Sequence, residues 1–196
     1  MKRTKEDAEQ TRQAILDASF DIINTKGFER MTRDDIAMEM GMTRGAVNWH
    51  FKTKEEIYFS VLQDILDRLE AIRKKYQNDS SMSAEERLTN LFLMPIRYVK
   101  WFVFVNRIPH YLLEQSEFSS IENRIYQNRM KFLEYLEEVL TEIENKSGKK
   151  LRMPKDKLAQ ALYLIYEGLH TRNTWNNSMI EFSEKEIWEL LSNIIY

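Results

Sequence analysis

The chain has 196 residues, 43% of them hydrophobic, and a formal charge of -2: enough apolar content for one large domain or a small domain fused to a larger one, and too little net charge for a uniformly basic, non-specific nucleic-acid binder. The absence of cysteine excludes a disulfide framework, thiolate chemistry and sulfur-ligated zinc, and fits a reducing cytoplasm. The start, MKRTKEDAEQTRQ, is too charged for a signal peptide and no apolar run approaches the roughly 20 residues of a membrane span, so a cytoplasmic protein without membrane contact is expected.

Glycine and proline are few and charges of both signs are interspersed, the pattern of solvated helix faces, so the expected fold class is all-α. Residues 5–26 carry Ala8, Ile15, Ala18, Ile22 and Ile23 near helical spacing and stop at Gly27, a candidate left-handed C-cap followed by apolar Phe28. Thr32 can cap a short helix over RDDIAMEM, with Asp34 and Asp35 in its positive first turn. Gly41 breaks that helix and Thr43 can cap a third, RGAVNWH, which gives residues 32–51 the spacing of a helix-turn-helix closed by apolar Phe51. Thr53 with Glu56 reads as a capping box that starts a long helix to about Tyr76. Ser83 with Glu86 opens an apolar helix, and Pro95 and Pro109 predict that residues 84–116 are kinked or split. Ser119 with Glu122 opens the next helix, ending near Gly148, with a basic loop at 146–157. A helix over 157–172 and a last one capped by Ser183 and Glu186 complete the chain.

In a helix-turn-helix the second helix enters the major groove with its N-terminal residues at the base edges, which asks for small or polar side chains there. Thr43, Arg44, Gly45 and Ala46 meet that demand: Arg44 can donate a bidentate pair to guanine, and Gly45 permits close approach. Val47 should face inward and Asn48 should share the outer face with Arg44. Trp49, His50 and Lys54 would meet the sugar-phosphate backbone, with the helix N-terminus at Lys54 offering free amides to a phosphate; Thr32, Arg33 and Lys52 complete the candidate DNA contacts.

These residues resemble a known family. From AEQTRQAILDAS through DDIAMEMGMTRGAVNWHFKTKEEI the chain closely resembles the tetracycline-repressor (TetR) family of bacterial transcription regulators, and TKEDAEQTRQ and TRGAVNWHFK look most like its multidrug-efflux branch, the AcrR and TtgR group. The resemblance is specific over residues 4–60 and weaker beyond, where the helix order, Glu117-Phe118 and the EGL at 167–169 are similar. It implies a DNA-binding domain over 1–53 (family-type domain about 9–69) and a regulatory domain over 54–196 with an internal ligand cavity and a dimer interface. Family members usually carry Tyr where this sequence has Asn48; a shorter side chain there implies altered operator preference, since asparagine can read adenine.

Aromatic residues are numerous between 98 and 175, as in apolar ligand pockets, and Tyr163, Tyr166, Glu167 and His170 share one helical face. Matching by the EGL residues puts Tyr163 and Glu167 where pocket residues sit in the efflux branch. The candidate ligand contacts are Ile65, Leu69, Tyr98, Phe102, Tyr111, Tyr163, Tyr166, Glu167 and His170. A buried Glu167 among aromatic walls would suit a small, lipophilic, cationic or aromatic effector.

A two-fold operator needs two reading heads about 34 Å apart, so a homodimer is expected. The helices at 120–145 and 157–172 carry apolar stripes that suit either an intersubunit four-helix bundle or burial within one subunit. The expected function is a ligand-responsive regulator, a repressor of an efflux-pump or related operon, released from a palindromic operator when ligand tilts the long helix from Lys54. The alternative is a helical small-molecule-binding adaptor that has lost DNA binding. No enzyme is expected: three isolated histidines, no phosphate-cradling loop and no metal motif leave no catalytic constellation, no metal site and no cofactor.

Overall fold

The computed structural model describes residues 5–175 and 181–196, with the side chains of 170 and 172–175 left out of account. The described residues are helical and contain no strand. The helices are α1 (Lys5–Lys26), α2 (Arg33–Glu39), α3 (Arg44–His50), α4 (Lys54–Gln77), α5 (Ala84–Arg97), α6 (Val99–Asn106), α7 (Ser116–Ser147), α8 (Lys155–Trp175) and α9 (Glu184–Ile195), with a 3-10 turn at His110–Leu112.

The helix ends follow local chemistry. Gly27 and Gly41 take φ values of 82° and 61°, the left-handed region where only glycine is unstrained, and end α1 and the first helix of the helix-turn-helix pair. Thr32, Ser83 and Ser183 form complete capping boxes with Asp35, Glu86 and Glu186. At α4 the box is altered: Thr53 Oγ1 accepts from the Glu56 amide at 2.9 Å, while the Glu56 carboxylate accepts from the Lys52 amide at 2.6 Å instead of from Thr53.

Two starts differ from the sequence reading. Helix α7 begins at Ser116, so Ser119 and Glu122 lie inside a helix already formed, where a cap motif has no free amides to satisfy. Helix α8 begins at Lys155, directly after Pro154, which shortens the basic loop to 148–154. The apolar stretch after Ser83 is split as expected, but at Tyr98 (φ -113°, ψ 36°), three residues beyond Pro95, and α5 and α6 meet at 70°. No single helix among the described residues is long and apolar enough to cross a membrane.

The chain divides into two compact units. The first runs to Arg68 and takes in Ile108–Ser119, so the expected boundary at residues 53 and 54 falls inside it. Its core is Ile15, Leu16, Met31, Ile36, Val47, Phe51, Ile57, Tyr58 and Leu62, all at most 2% exposed. The second unit spans Leu69–Arg107 and Ser120–Tyr196. Its centre is α5, buried continuously from Leu88 to Pro95 and packed on α8 and α9, while α6 packs on α8. A helix apolar on every side belongs in the interior, and its two buried polar residues bond back along it, Thr89 to the Glu85 carbonyl and Asn90 to the Glu86 carbonyl. Helix α4 is continuous; Ile57 to Leu66 belong to the first core, and Leu69, Ile72 and Tyr76 pack on the second.

Candidate nucleic-acid interface

Helix α3 buries a single residue, Val47, and leaves the rest of its surface to solvent or partly so. Thr43 caps it in an extended conformation, its side chain accepting from the Ala46 amide at 3.2 Å. Thr43, Arg44 and Gly45 are exposed, Ala46 half-buried. A Cβ built on Gly45 would meet nothing closer than Thr43 Oγ1 at 3.8 Å, so the fold itself does not require glycine there. An external surface that must come close to the helix backbone does.

Trp49 is 64% exposed, with its ring edge-on to that of His50 at 4.6 Å. An indole left in water on a helix with only one core residue argues for a surface that something else covers. Asn48 departs from expectation. It is half-buried, and its amide oxygen is turned inside without a hydrogen bond, so only part of its side chain is left to the face it shares with Arg44.

Helices α2, α3 and the start of α4 enclose an open cleft of about 480 Å³ carrying four cations, Arg33, Arg44, Lys52 and Lys54, and three carboxylates, Glu29, Asp34 and Glu55. Three of the four cations donate to backbone carbonyls, Lys52 Nζ to that of Asn48 at 3.2 Å. Arg33 Nη1 donates to the Lys52 carbonyl at 2.5 Å. Lys54 Nζ donates to the carbonyls of Phe28 and Glu29 at 3.0 and 2.9 Å and lies 4.5 Å from the centre of the Phe28 ring, closing the turn after α1. Arg33 and Lys54 are half-buried, while Arg44 and Lys52 are exposed; Thr32, also exposed, caps α2.

Arg44 is held by Asp34, Nη1 to Oδ2 at 3.1 Å, with both side chains more than half exposed. Sequence reasoning saw Asp34 only as a first-turn dipole partner; its contact with a residue ten positions on was not visible. An exposed pair is weak, so the guanidinium can leave it for a base at little cost, while the carboxylate repels phosphates that bring no base contact in return. Asp34→Asn is expected to raise affinity for non-operator DNA about two- to five-fold in fluorescence anisotropy and to lower discrimination. Arg44→Ala is expected to weaken operator binding by about 1–3 kcal/mol and to flatten preference at one base pair, as checked by competition among single-base operator variants.

The candidate ligand residues fall in two places. Leu69, Tyr98, Tyr163 and Tyr166 pack against the second unit's core, with Phe102 inside it. The Tyr166 ring lies 4.8 Å from Phe132, 5.7 Å from Phe92 and 6.2 Å from Phe102, a nest of rings on α5, α6, α7 and α8. Ile65 and Tyr111 are elsewhere. Both belong to the first unit, where Ile65 is 2% exposed and Tyr111 stacks on Phe28 at 6.2 Å, because Ile108–Ser119 folds with that unit. The side chain of His170 lies outside the described residues.

Glu167 also differs from the expectation of an uncompensated carboxylate. It accepts from the Tyr163 hydroxyl and faces Arg129 Nη2 at 3.9 Å, while Arg129 Nε donates to the same hydroxyl at 2.7 Å. Burial and then the Glu167 carboxylate push the Tyr163 hydroxyl up to about 12. With its charge already matched, Glu167 makes no particular demand for a cationic ligand. Among the described residues no three His, Asp or Glu side chains gather as a metal site.

Residues 15–61 match the model for "Bacterial regulatory proteins, tetR family". The chain is 26% identical over 196 residues to the HTH-type transcriptional regulator SrpR of Pseudomonas putida, covering 97% of this chain and 89% of that one. It is 28% identical over 129 residues to the HTH-type transcriptional regulator TtgR of Pseudomonas putida, covering 66% of this chain and 61% of TtgR. Its fold matches that of NalD, the secondary repressor of the MexAB-OprM multidrug efflux pump in Pseudomonas aeruginosa, with TM-score 0.66 and 19% identity over 95% of this chain and 98% of NalD. With a helix-turn-helix matched over α1 to α4 and an all-helical second unit, the chain carries a DNA-binding module of TetR-family type and is similar to bacterial transcriptional regulators of that family, TtgR among them.

Proposed function

We propose that this chain represses an efflux-pump or related operon by binding a palindromic operator as a homodimer in the cytoplasm, and that a lipophilic small molecule held in the second unit releases it. The observation that carries the DNA-binding half is the uncovered surface of α3: Thr43, Arg44 and Gly45 exposed at its N-terminal end and Trp49 64% exposed one turn on. Thr43 to Ala46 face bases, Trp49 to Lys52 lie along the backbone, and residues 1–53 with the start of α4 form the DNA-binding domain.

The effector half rests on the ring nest around Tyr166, with partly buried Leu69, Tyr98 and Tyr163 beside it. Helix α4 is the covalent route between the two: one continuous helix contributes to both cores, so a ligand bound against residues 69–76 acts on the helix that the DNA-binding unit also uses. The ligand must bind the two states unequally, or operator affinity does not change.

The dimer reading draws on α8. The α7 stripe, Phe132, Leu136, Val139, Leu140 and Ile143, is buried within the chain, and the exposed ring on that helix, Tyr126 at 54%, lies outside it. On α8, Leu164 is 70% exposed and a Cβ on Gly168, one turn later, would meet nothing within 4 Å, which leaves an uncovered leucine beside open space.

A mobility-shift titration with DNA from upstream of the gene, at several salt concentrations, tests the proposal. Binding that weakens steeply with salt and is reversed by lipophilic compounds is the expected result. Failure to bind any such DNA at low salt would favour the adaptor alternative.

A further inference from the structure

Arg73 lies in the second unit, on the face of α4 that also carries Leu69, and its side chain is partly buried. Its Nη1 donates to the Asn128 carbonyl at 3.3 Å, and its Nε is buried with no hydrogen-bond partner. Among the described residues it makes no ion pair within 4 Å. Its carboxylate neighbour Glu70, one turn earlier, is taken by Lys74 at 2.8 Å and Arg124 at 3.3 Å. Three cations thus surround one carboxylate, and the one left with a long bond to a backbone carbonyl is the desolvated one.

Arg87 also has a buried Nε without an acceptor, but its guanidinium pairs directly with Glu142 and donates to the Met82 carbonyl at 3.0 Å. What sets Arg73 apart is that its acceptor is a backbone carbonyl and not a carboxylate. Desolvation pulls its pKa below the usual guanidinium value, and its charge acts on the Tyr166 hydroxyl, which burial raises. Its acceptor Asn128 lies one turn before Phe132 on α7, and Leu69 and Ile72 of α4 pack on the core that holds Phe132 and Tyr166, which brings Arg73 to the side of the ring nest. A guanidinium N–H kept from water without an acceptor is costly, and a planar oxyanion is what its fork geometry fits.

We infer that the second unit takes an apolar, ring-bearing molecule that ends in a carboxylate, and that Arg73 is the residue that pairs with it. The inference rests on the effector reading proposed above and specifies the ligand's chemistry. It reverses the charge expected from Glu167, whose partners are Arg129 and Tyr163.

Three probes with one ring system and different ends separate the possibilities: 2-naphthylacetate, 2-naphthylethanol and 2-naphthylethylamine, each titrated into the full chain by calorimetry. The acid is expected to bind about tenfold more tightly than the alcohol, and the amine more weakly than either. Arg73→Gln is expected to bring the acid to within about twofold of the alcohol while leaving alcohol binding unchanged; Arg73→Lys, which keeps the charge, should retain part of the preference and guards against a misfolded glutamine variant. Equal binding of acid and alcohol, tighter binding of the amine, a preference for acid that survives Arg73→Gln, or no binding of any probe overturns the inference. Mobility shifts with the same probes test the wider reading separately: an acid that binds at Arg73 without releasing operator refutes the effector role but not the site.

Discussion

Phe51→Ala is expected to destabilise the first unit by about 3–5 kcal/mol. The ring is 0% exposed and closes α3, its amide donating to the Val47 carbonyl at 3.0 Å, while the Arg12 guanidinium lies 4.9 Å from its centre and bonds Ser60 at 3.1 Å. Truncation leaves a cavity where α1, α3 and α4 meet, and the single buried residue of α3, Val47, cannot hold that helix in place. A unit of this size has of the order of 5–10 kcal/mol in all, so the loss is a large share of it. In urea titrations of the full chain followed by circular dichroism, an early transition should separate from a later one whose midpoint is unchanged. Operator binding should fail at 37 °C while probe binding by the second unit persists. A single transition shifted by less than about 1 kcal/mol would show that Phe51 is not what holds α3.

The helix-turn-helix was legible because its signals are local. Thr32, Thr43, Gly27 and Gly41 each act on backbone groups within four residues, and the structure uses all four as their types demand. Local signals also mislead. Ser119 and Glu122 have the spacing of a cap, yet α7 is already helical from Ser116, and the same two residue types are harmless inside an exposed helix. The split near Pro95 was foreseeable, since a missing amide weakens the helix; its placement at Tyr98 was not, because the break is set by packing α6 on α8.

Partners distant in sequence explain what was missed at the site. Arg33 and Lys54 read as free cations, but their acceptors lie 19 to 26 residues away and are backbone carbonyls, which no residue type announces. Glu167 reads as an orphan until Arg129, on the neighbouring α7, is brought to it. Tyr111 was grouped with the aromatic residues around it in sequence; only the fold sends Ile108–Ser119 to the first unit and sets that ring on Phe28. Arg73 attracted no notice because an arginine on a charged helix is ordinarily solvated, and its partial burial comes from α7, whose Asn128 carbonyl it reaches 55 residues on.

Leu164→Glu is expected to convert the proposed dimer to monomers and to weaken operator binding about 10²-fold, because the two half-sites of the proposed palindrome then bind independently and the gain from linkage is lost. Full burial of one leucine contributes about 1.5–3 kcal/mol, and a two-fold interface would count it twice; glutamate instead sets two like charges against each other across the axis. Stability within the chain should not change, since Leu164 is 70% exposed and touches no core. Light scattering after size exclusion gives the mass, and operator and half-site duplexes give the affinities: the variant should bind a half-site as wild type does and lose only the advantage of the full palindrome. A variant that remains dimeric places the interface on another face, and Leu190 on α9, 39% exposed, is the next position to substitute.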